Sequence, residues 1–360
     1  MQEQPTNFAQ MALNALDEQL KKRGVANILI AGKTGVGKST LVNSVFQGRL
    51  ATTGQGKPVT QKTTKYTKEG IPVAIFDTKG LEVKDYNSIL EELIKFVTTA
   101  NKSTNDQEHI HVAWICIAEG SRRVEDAEIL LAEKLSHMMP VVIVITTANS
   151  DQGFRSSVKE QFPFARNVVR VNSVELALDG RKPFGVHGLE DLVNLTMEVI
   201  PEGQKNAFAA AQKVTLDVKL NRAHMVVAAS ATTAAGFGAA PIPFSDVLAI
   251  VPVQITMLAG ISLAFGLSTD KAFIGSIVSG TFTAVAGSFG GRAAVGALLK
   301  FFPGIGSVAG GAISAAVAAA VTTTFGEAYI ATLYSLLKQD PGKQLTGSEV
   351  AEAFRARLES

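Results

Sequence analysis

The sequence has a single cysteine, Cys116, so no disulfide can form within the chain and a disulfide-stapled secreted fold is excluded. Charge is also limited. Charged residues make up 18% of the 360 residues, and 34 basic residues nearly balance 32 acidic ones. Without an excess of positive charge, a nucleic-acid partner is not expected. The 46% hydrophobic content excludes a mainly disordered chain, and the length allows two domains.

Charge is scarcest in the second half of the chain. Residues 224–335 contain six charged side chains, namely Asp246, Asp270, Lys271, Arg292, Lys300 and Glu327. Four uncharged stretches result, at 225–245, 247–269, 272–291 and 301–326. Each is long enough to be a candidate membrane-spanning helix, although all are rich in Ala, Gly, Ser and Thr. We expect membrane lipid as a partner, and a tightly packed soluble helical domain is the alternative.

The first ten residues are polar and carry no secretory signal, so we expect the chain on the cytoplasmic side of a membrane. The alternative location is the soluble cytoplasm. Through residue 200, apolar strand patterns alternate with helical patterns. Such alternation predicts an α/β domain with a mostly parallel sheet covered by helices on both faces, followed here by an all-α, Ala/Gly-rich domain.

The strongest motif is the glycine-rich run Gly32-Lys33-Thr34-Gly35-Val36-Gly37-Lys38-Ser39, which fits the phosphate-binding pattern G-x-x-x-x-G-K-[ST]. It lies between a predicted strand and a predicted helix, which is the context that this motif requires. Its amides and the helix N-terminus would face phosphate oxygens. Lys38 would reach the β- and γ-phosphates, the Ser39 hydroxyl would bind Mg²⁺, and Thr40 would contact the α-phosphate.

A second motif, Asp77-Thr78-Lys79-Gly80, closes the buried strand 71–76. An aspartate at this position can hold Mg²⁺ through water, and the Gly80 amide can contact the γ-phosphate. The polar loop 50–63 supplies Thr60 as a candidate Mg²⁺ ligand in the triphosphate state. Thr63 and Thr64 are alternatives to Thr60. The candidate catalytic set is therefore Lys38, Thr60 and Gly80, and the candidate metal ligands are Ser39, Thr60 and Asp77.

With these motifs in this order, residues 25–200 resemble the Era-like branch of the translation-factor-type GTPases. The resemblance implies GTP and GDP as ligands, with Mg²⁺. The apolar half, with Pro241-Ile242-Pro243-Phe244, the Gln254/Met257 stretch and Pro303-Gly304-Ile305-Gly306, resembles the domain of unknown function that follows such G domains in bacteria. The predicted organisation is an N-terminal helix (1–24), a G domain (25–201), a linking helix (202–223), an apolar helical domain (224–338) and a polar tail (339–360).

Guanine recognition in this family uses [NT]-K-x-D after a strand, whereas this chain has Thr146-Thr147-Ala148-Asn149. Asn149 stands in the aspartate position, and an amide offers one acceptor where guanine needs two. Asp151 is an alternative acceptor if the loop is irregular. Asn172 and Ser173 follow the strand 168–171, where the family places an amide that contacts guanine O6. Thr146, Asn149, Asp151, Asn172 and Ser173 are thus the candidate base-binding residues.

Leu81 follows Gly80 where a glutamine would orient the attacking water, so slow hydrolysis is expected. The resulting prediction is a slow GTPase that acts as a nucleotide switch coupled to a membrane-associated helical domain, with homo-oligomers also considered. Two alternatives remain open. One is a nucleotide-binding membrane scaffold or remodelling protein with little hydrolysis, and the other is an Era-like ribosome-assembly GTPase.

Overall fold

A computed structural model describes residues 14–15, 17–20, 23–47, 50, 57–58, 63–78, 86–178, 181–238, 250–267, 271–278 and 315–359. The chain divides into two compact units. Residues 23–215 form one, and residues 1–22 with 216–360 form the other.

The first unit is built on a mostly parallel sheet. Its strands are β1 (Ala26–Ala31), β2 (Lys57–Pro58), β3 (Thr63–Lys68), β4 (Ile71–Thr78), β5 (Val112–Ala118), β6 (Val141–Thr146) and β7 (Asn167–Arg170). Their order is β2-β3-β4-β1-β5-β6-β7, in which β4 to β7 are parallel and the two-residue β2 extends the antiparallel edge beside β3. The predicted sheet is confirmed.

Helices cover both faces of this sheet, which explains why its central strands are mostly apolar. They are α1 (Lys38–Val45), α2 (Tyr86–Asn101), α3 (Asp126–Ser136), α4 (Phe154–Gln161), α5 (Leu189–Val199) and α6 (Glu202–Ala211). All six residues of β1 and all six of β6 are buried, as expected for parallel strands between two helical layers. A small hairpin of β8 (Leu176–Leu178) and β9 (Arg181–Phe184) follows β7. This is the P-loop GTPase fold.

The carboxyl ends of β1, β4, β5 and β6 meet at one edge of the sheet. In register, Ile30 pairs with Asp77, Ala31 with Ile115, and Ala118 with Thr146. The loops that carry the predicted motifs therefore leave the sheet side by side, at the edge where open α/β sheets bind ligands.

The second unit is helical. Its described residues include the helices α7 (Asp217–Gly238), α8 (Ile250–Ala264), α9 (Lys271–Val278), α10 (Ala315–Leu337) and α11 (Gly347–Glu359). Small residues let these helices approach closely. A Cβ added at Gly326 of α10 would lie 2.6 Å from a Val227 methyl and 2.9 Å from the Met257 sulfur. Ser262 and Tyr329 share a buried hydrogen bond of 2.8 Å, so these two hydroxyl groups are paired inside the core.

The predicted linking helix 202–223 is wrong as a continuous helix. Helix α6 ends at Ala211, and its last five residues are buried in the first unit. The Gln212 side chain then accepts hydrogen bonds from the amides of Val214 and Thr215. These bonds give the backbone an alternative to helix, so the chain turns before α7 begins at Asp217. The division between the two units, after Thr215, lies within the predicted linking segment 202–223.

Residues 339–360, predicted as a polar tail, contain helix α11. Val350, Ala351 and Phe354 lie on one face of that helix at helical spacing, and all three are buried. The Phe354 ring packs 4.9 Å from Tyr329 and 5.1 Å from Phe325, centroid to centroid. The terminal segment is therefore part of the helical core.

Helix α10 is the one helix in the described part of the chain that is long and apolar enough to cross a membrane, and half of its apolar window is buried within the protein.

Candidate functional site

The phosphate loop joins β1 to α1 and owes its shape to three glycines. Gly35 and Gly37 adopt left-handed backbone angles, with φ of 82° and 91°. Gly32 has φ of 147°, and a Cβ there would lie 2.4 Å from the Cys116 carbonyl oxygen. Only glycine therefore lets the loop pass this close to β5, and α1 begins directly at Lys38.

The Lys38 side chain folds back over the loop. Its Nζ donates to the carbonyl oxygens of Gly32 at 2.8 Å and Lys33 at 3.0 Å, and the side chain is buried. The ammonium is thereby held against the same turn whose amides would face an anion. Ser39 and Thr40, in the first turn of α1, are exposed. An exposed hydroxyl at a helix N-terminus beside a fixed lysine suits a phosphate and its metal ion.

Asp77 supplies the acidic group of the site. Its Oδ1 is buried and finds no hydrogen-bond partner among the described residues. Burial raises the pKa of this carboxyl, and the nearby charge of Lys38 offsets part of that increase. A buried carboxylate oxygen without a donor fits a hydrated Mg²⁺, since oxygen ligands suit this ion. Ser39 and Asp77 are the described residues that would hold it.

Two predicted residues, Thr60 and Gly80, lie outside the described residues, as does Leu81. The alternatives to Thr60 are both in β3. Thr63 is buried and pairs with Thr78, while Thr64 pairs with Asp77. Both alternatives therefore lie in the sheet beside the acidic strand end.

The end of β6 contacts the phosphate loop directly. The Thr146 hydroxyl is buried and donates to the Val36 carbonyl at 2.6 Å. It also lies 3.3 Å from the Ile117 carbonyl. The side chain of this predicted base-binding residue is thus bonded within the protein. It connects the loop between β6 and α4 (residues 147–153, the base loop) to the phosphate loop.

The predicted base loop has an irregular backbone. Thr147, in the family's lysine position, has φ of 49°, an uncommon angle for a β-branched residue. Ala148 is buried, and its amide donates to the Val171 carbonyl at 3.1 Å. Asn149 follows with an exposed side chain. Its amide group is therefore available to a ligand at this edge of the sheet.

Asp151 is occupied by structural contacts. Its Oδ1 accepts from the Arg155 amide at 2.8 Å and lies 3.7 Å from Arg170 Nε. The first contact caps the start of α4, so Asp151 is less available to a base than Asn149.

Asn172 is also used internally. It is buried, and its Nδ2 donates to the carbonyls of Val174 and Gly185, both at 2.9 Å. Ser173 accepts a hydrogen bond at its carbonyl from the Ser44 hydroxyl of α1 at 3.0 Å. The Asn172 side chain thus shapes the loop after β7. A contact between this segment and a base would therefore involve its backbone groups rather than the Asn172 side chain.

Two residues outside the predicted motifs, Glu119 and Arg122, hold the backbone of the base loop. Glu119, directly after β5, accepts hydrogen bonds from the amides of Asn149 and Ser150, and pairs with Arg170. Arg122 donates to the carbonyls of Ser150 and Asp151. The sequence does indicate Glu119 in one respect, because it is a charged residue directly after the buried strand β5. The loops that follow parallel strands meet at the carboxyl edge of the sheet, so a charged residue there can contact a neighbouring loop.

The phosphate loop also has an ionic contact with α3. Lys33 pairs with Glu125, which caps α3 in a reciprocal capping box with Glu128.

A separate cleft of about 560 Å³ lies beside β7 and α5 and is lined by Arg155, Asn167, Val169, Arg170, His187, Gly188, Asp191, Asn194, Leu195 and Glu198. Its lining includes none of the predicted nucleotide-binding residues.

Comparison with known proteins agrees with this geometry. Residues 27–147 match a family model described as 50S ribosome-binding GTPase. The chain is 23% identical over 237 residues to cell division control protein 10 of Candida albicans, covering 54% of this chain and 66% of that protein. It is 48% identical over 56 residues to translocase of chloroplast 101 of Physcomitrium patens, covering 15% of this chain and 6% of that protein.

A solved structure of Era in complex with MgGDPNP and nucleotides of 16S ribosomal RNA is 18% identical, with a TM-score of 0.31, and covers 59% of this chain and 68% of that chain. The chain spans just under two thirds of the Candida protein and a small part of the Physcomitrium protein. Fold, motif and family match together define a P-loop GTPase domain. Because the family match ends at residue 147, the resemblance of the helical half stays a prediction.

Proposed function

We propose that the protein binds GTP with Mg²⁺, hydrolyses it slowly to GDP and phosphate, and acts as a nucleotide switch for its helical unit. The observation that carries this proposal is the buried Oδ1 of Asp77, which has no hydrogen-bond partner in the described part of the chain and lies at the strand end beside the phosphate loop. A folded protein rarely leaves such a group without a partner unless a ligand supplies one.

Each residue has a defined task in this proposal. The phosphate-loop amides and Lys38 bind the β- and γ-phosphates, and Ser39 and Asp77 orient the metal ion. Bound Mg²⁺ would neutralise charge on the transferred phosphoryl group. Thr60 would join the metal site in the triphosphate state, and the Gly80 amide would contact the γ-phosphate. Leu81 cannot orient water, and hydrolysis is therefore slow.

Phosphate release separates this proposal from a scaffold that binds nucleotide without hydrolysing it. Wild-type protein should release phosphate from GTP with Mg²⁺, and Lys38→Ala should abolish the release. Lys205→Ala removes a partly exposed lysine from an ion pair with Glu202 and is the matched control, which should behave as wild type. Binding without any Lys38-dependent release would support the scaffold instead.

The helical unit is proposed to associate with membrane lipid on the cytoplasmic side. Support comes from the four uncharged stretches and from α10, which is long and apolar enough to enter a bilayer. The close packing around Gly326 favours a packed helical core that meets the membrane at its surface. Flotation with anionic and neutral liposomes, with GTP or GDP present, tests this step. Protein that never floats would support the soluble alternative.

Coupling between nucleotide and helical unit is also part of the proposal. The chain passes between the two units after residue 22 and again after residue 215, so ordering of the nucleotide loops can be transmitted along the chain. Hydrogen exchange beyond residue 216 should differ between GDP and a non-hydrolysable GTP analogue. Light scattering on the same samples tests whether the triphosphate state forms homo-oligomers.

A further inference from the structure

One carboxylate oxygen holds two consecutive peptide groups of the base loop. Glu119 is 1% exposed, and its Oε2 accepts hydrogen bonds from the amides of Asn149 at 2.6 Å and Ser150 at 2.7 Å. Hydrogen bonds to a charged acceptor are about twice as strong as those between neutral groups. The peptide that follows the Asn149 side chain is therefore fixed by the end of β5.

The other oxygen of Glu119 is paired with Arg170 at the end of β7. Arg170 donates to Oε1 through Nε at 2.7 Å and through its terminal nitrogen at 2.6 Å. Burial by itself raises the pKa of Glu119, but the bonds from the two loop amides and from Arg170 outweigh it, so the pKa lies below its ordinary value. Glu119 is thus charged at neutral pH and has strong donors on both oxygens.

The loop needs such an anchor because its backbone is unusual. Thr147 and Gln152 both have positive φ, at 49° and 45°, and neither is a glycine. Positions of this kind persist only where the surroundings hold them in place. The loop is also held at Ala148, whose carbonyl lies 2.9 Å from His187 Nε2. The backbone is fixed while the Asn149 side chain stays exposed.

We propose that Glu119 is a positioning residue for base recognition, that Arg170 supports it, and that this pair presents the Asn149 amide to the purine base of the nucleotide. The inference rests on the proposed function, because it assigns a role within the same nucleotide site. Glu119 contacts the loop backbone and Arg170. It acts by fixing the loop before the nucleotide arrives, so that binding does not have to order the loop.

A role in stability alone makes a different prediction. Loss of a fold-stabilising ion pair lowers the folded fraction and weakens every nucleotide equally. Loss of a positioning residue weakens contact with the base and leaves contact with the triphosphate. The ratio of the dissociation constants for ATP and GTP separates the two cases, because these nucleotides share the phosphate tail and differ in the base.

The test measures Mg²⁺-dependent dissociation constants for GTP and ATP in wild type, Glu119→Gln, Arg170→Met and Arg170→Lys. In Glu119→Gln and Arg170→Met the ATP-to-GTP ratio should fall about tenfold toward one, since about one charged hydrogen bond to the loop is lost. Arg170→Lys keeps the charge and should recover most of the ratio. Lys205→Met, which breaks the partly exposed ion pair with Glu202 elsewhere in this unit, is the control and should keep the full ratio.

The near-ultraviolet circular dichroism of the single tryptophan, the fully buried Trp114, checks that each variant is folded. If Glu119→Gln fails to fold, the Arg170 variants carry the test. Wild-type protein that prefers GTP and keeps that preference in folded Glu119→Gln or Arg170→Met would overturn this inference alone. Wild-type protein that binds neither nucleotide would contradict the proposed function and remove the basis of the inference with it.

Discussion

The Thr146 hydroxyl donates a 2.6 Å hydrogen bond to the Val36 carbonyl, joining the base loop to the phosphate loop across 110 residues of sequence. Because both groups are buried, the contact fixes the spacing between the two halves of the nucleotide site. Base and phosphate are joined in a purine nucleotide, so this spacing decides whether both can be bound together.

Thr146→Val, which keeps the shape and removes the hydroxyl, is expected to leave the buried Val36 carbonyl without this donor. We expect a loss of about 1–3 kcal/mol in the free energy of unfolding and weaker GTP binding. Urea unfolding and nucleotide titration measure the two effects. Thr99→Val is the control, because the Thr99 hydroxyl is exposed and bonds only within its own helix. Equal effects of the two substitutions would contradict this role for Thr146.

Gly32→Ala should displace the phosphate loop. Its new methyl group would lie 2.4 Å from the Cys116 carbonyl oxygen, and φ of 147° is unfavourable for alanine. We expect nucleotide binding to be lost and the melting temperature to fall. Gly203→Ala on α6 is the control, since a Cβ there meets nothing within 4 Å. Wild-type affinity in Gly32→Ala would show that the loop does not need this close approach to β5.

Asp77→Asn should separate metal binding from folding. The substitution removes a charge from a buried oxygen that no described group satisfies, so stability without ligand should stay the same or rise slightly. The Mg²⁺-dependent part of GTP affinity should be lost. Calorimetric titration with and without Mg²⁺ measures it. A variant that keeps its Mg²⁺ dependence and loses stability would assign Asp77 a purely structural role.

Asn149→Asp should sharpen the preference for guanine. A carboxylate accepts from both guanine N1–H and N2–H₂, and the added charged hydrogen bond is about 1.5–3 kcal/mol, or about 10- to 100-fold in affinity. Competition between GTP and xanthosine triphosphate measures the change. Asn194→Asp adds the same charge at an exposed site on α5 and should leave the preference unchanged. No gain in Asn149→Asp would place base recognition elsewhere.

His111 should make the stability of the first unit depend on pH. Burial, the largest cause, lowers the pKa of this histidine from 6.5 to about 4, and its Nδ1 accepts a hydrogen bond from the Asn27 amide at 2.9 Å. Between these values the unfolded chain binds the proton and the folded chain does not. Stability therefore falls as pH decreases, by about 2 kcal/mol between pH 7 and pH 5.

Urea unfolding at the two pH values in wild type and His111→Asn tests this expectation. The variant should lose about that much of the pH dependence, while other titrating groups contribute equally to both proteins. An unchanged pH dependence would show that folding does not lower the pKa of His111.

The parts of the site that the sequence predicted are local. The phosphate loop and the Asp77 strand end follow from short motifs beside apolar strands, because glycine spacing and strand burial are encoded within a few residues. The Glu119–Arg170 pair is not local, since 51 residues separate its members and only the sheet order β5-β6-β7 brings them together. The roles of Thr146 and Asn172 were missed for the same reason, as their partners lie on other loops.

The break in the predicted linking helix has a different physical cause. Residues 202–223 have helical composition, and the break after Ala211 depends on one side chain, Gln212, which captures the amides of Val214 and Thr215. Composition also hid α11, because its buried residues, Gly347, Val350, Ala351 and Phe354, are few among many charges. In both segments, contacts made by a few side chains decided the structure, whereas the prediction rested on the residue composition of the segment as a whole.

Binding of GTP with Mg²⁺ at the phosphate loop is tested by the affinity of the purified wild-type protein for GTP, measured with and without Mg²⁺ beside the Lys38→Ala variant. We expect saturable binding of GTP that strengthens with Mg²⁺ and is lost in Lys38→Ala. Absence of Mg²⁺-dependent binding to any purine triphosphate at millimolar concentration, in protein whose tryptophan signal shows it to be folded, would contradict it.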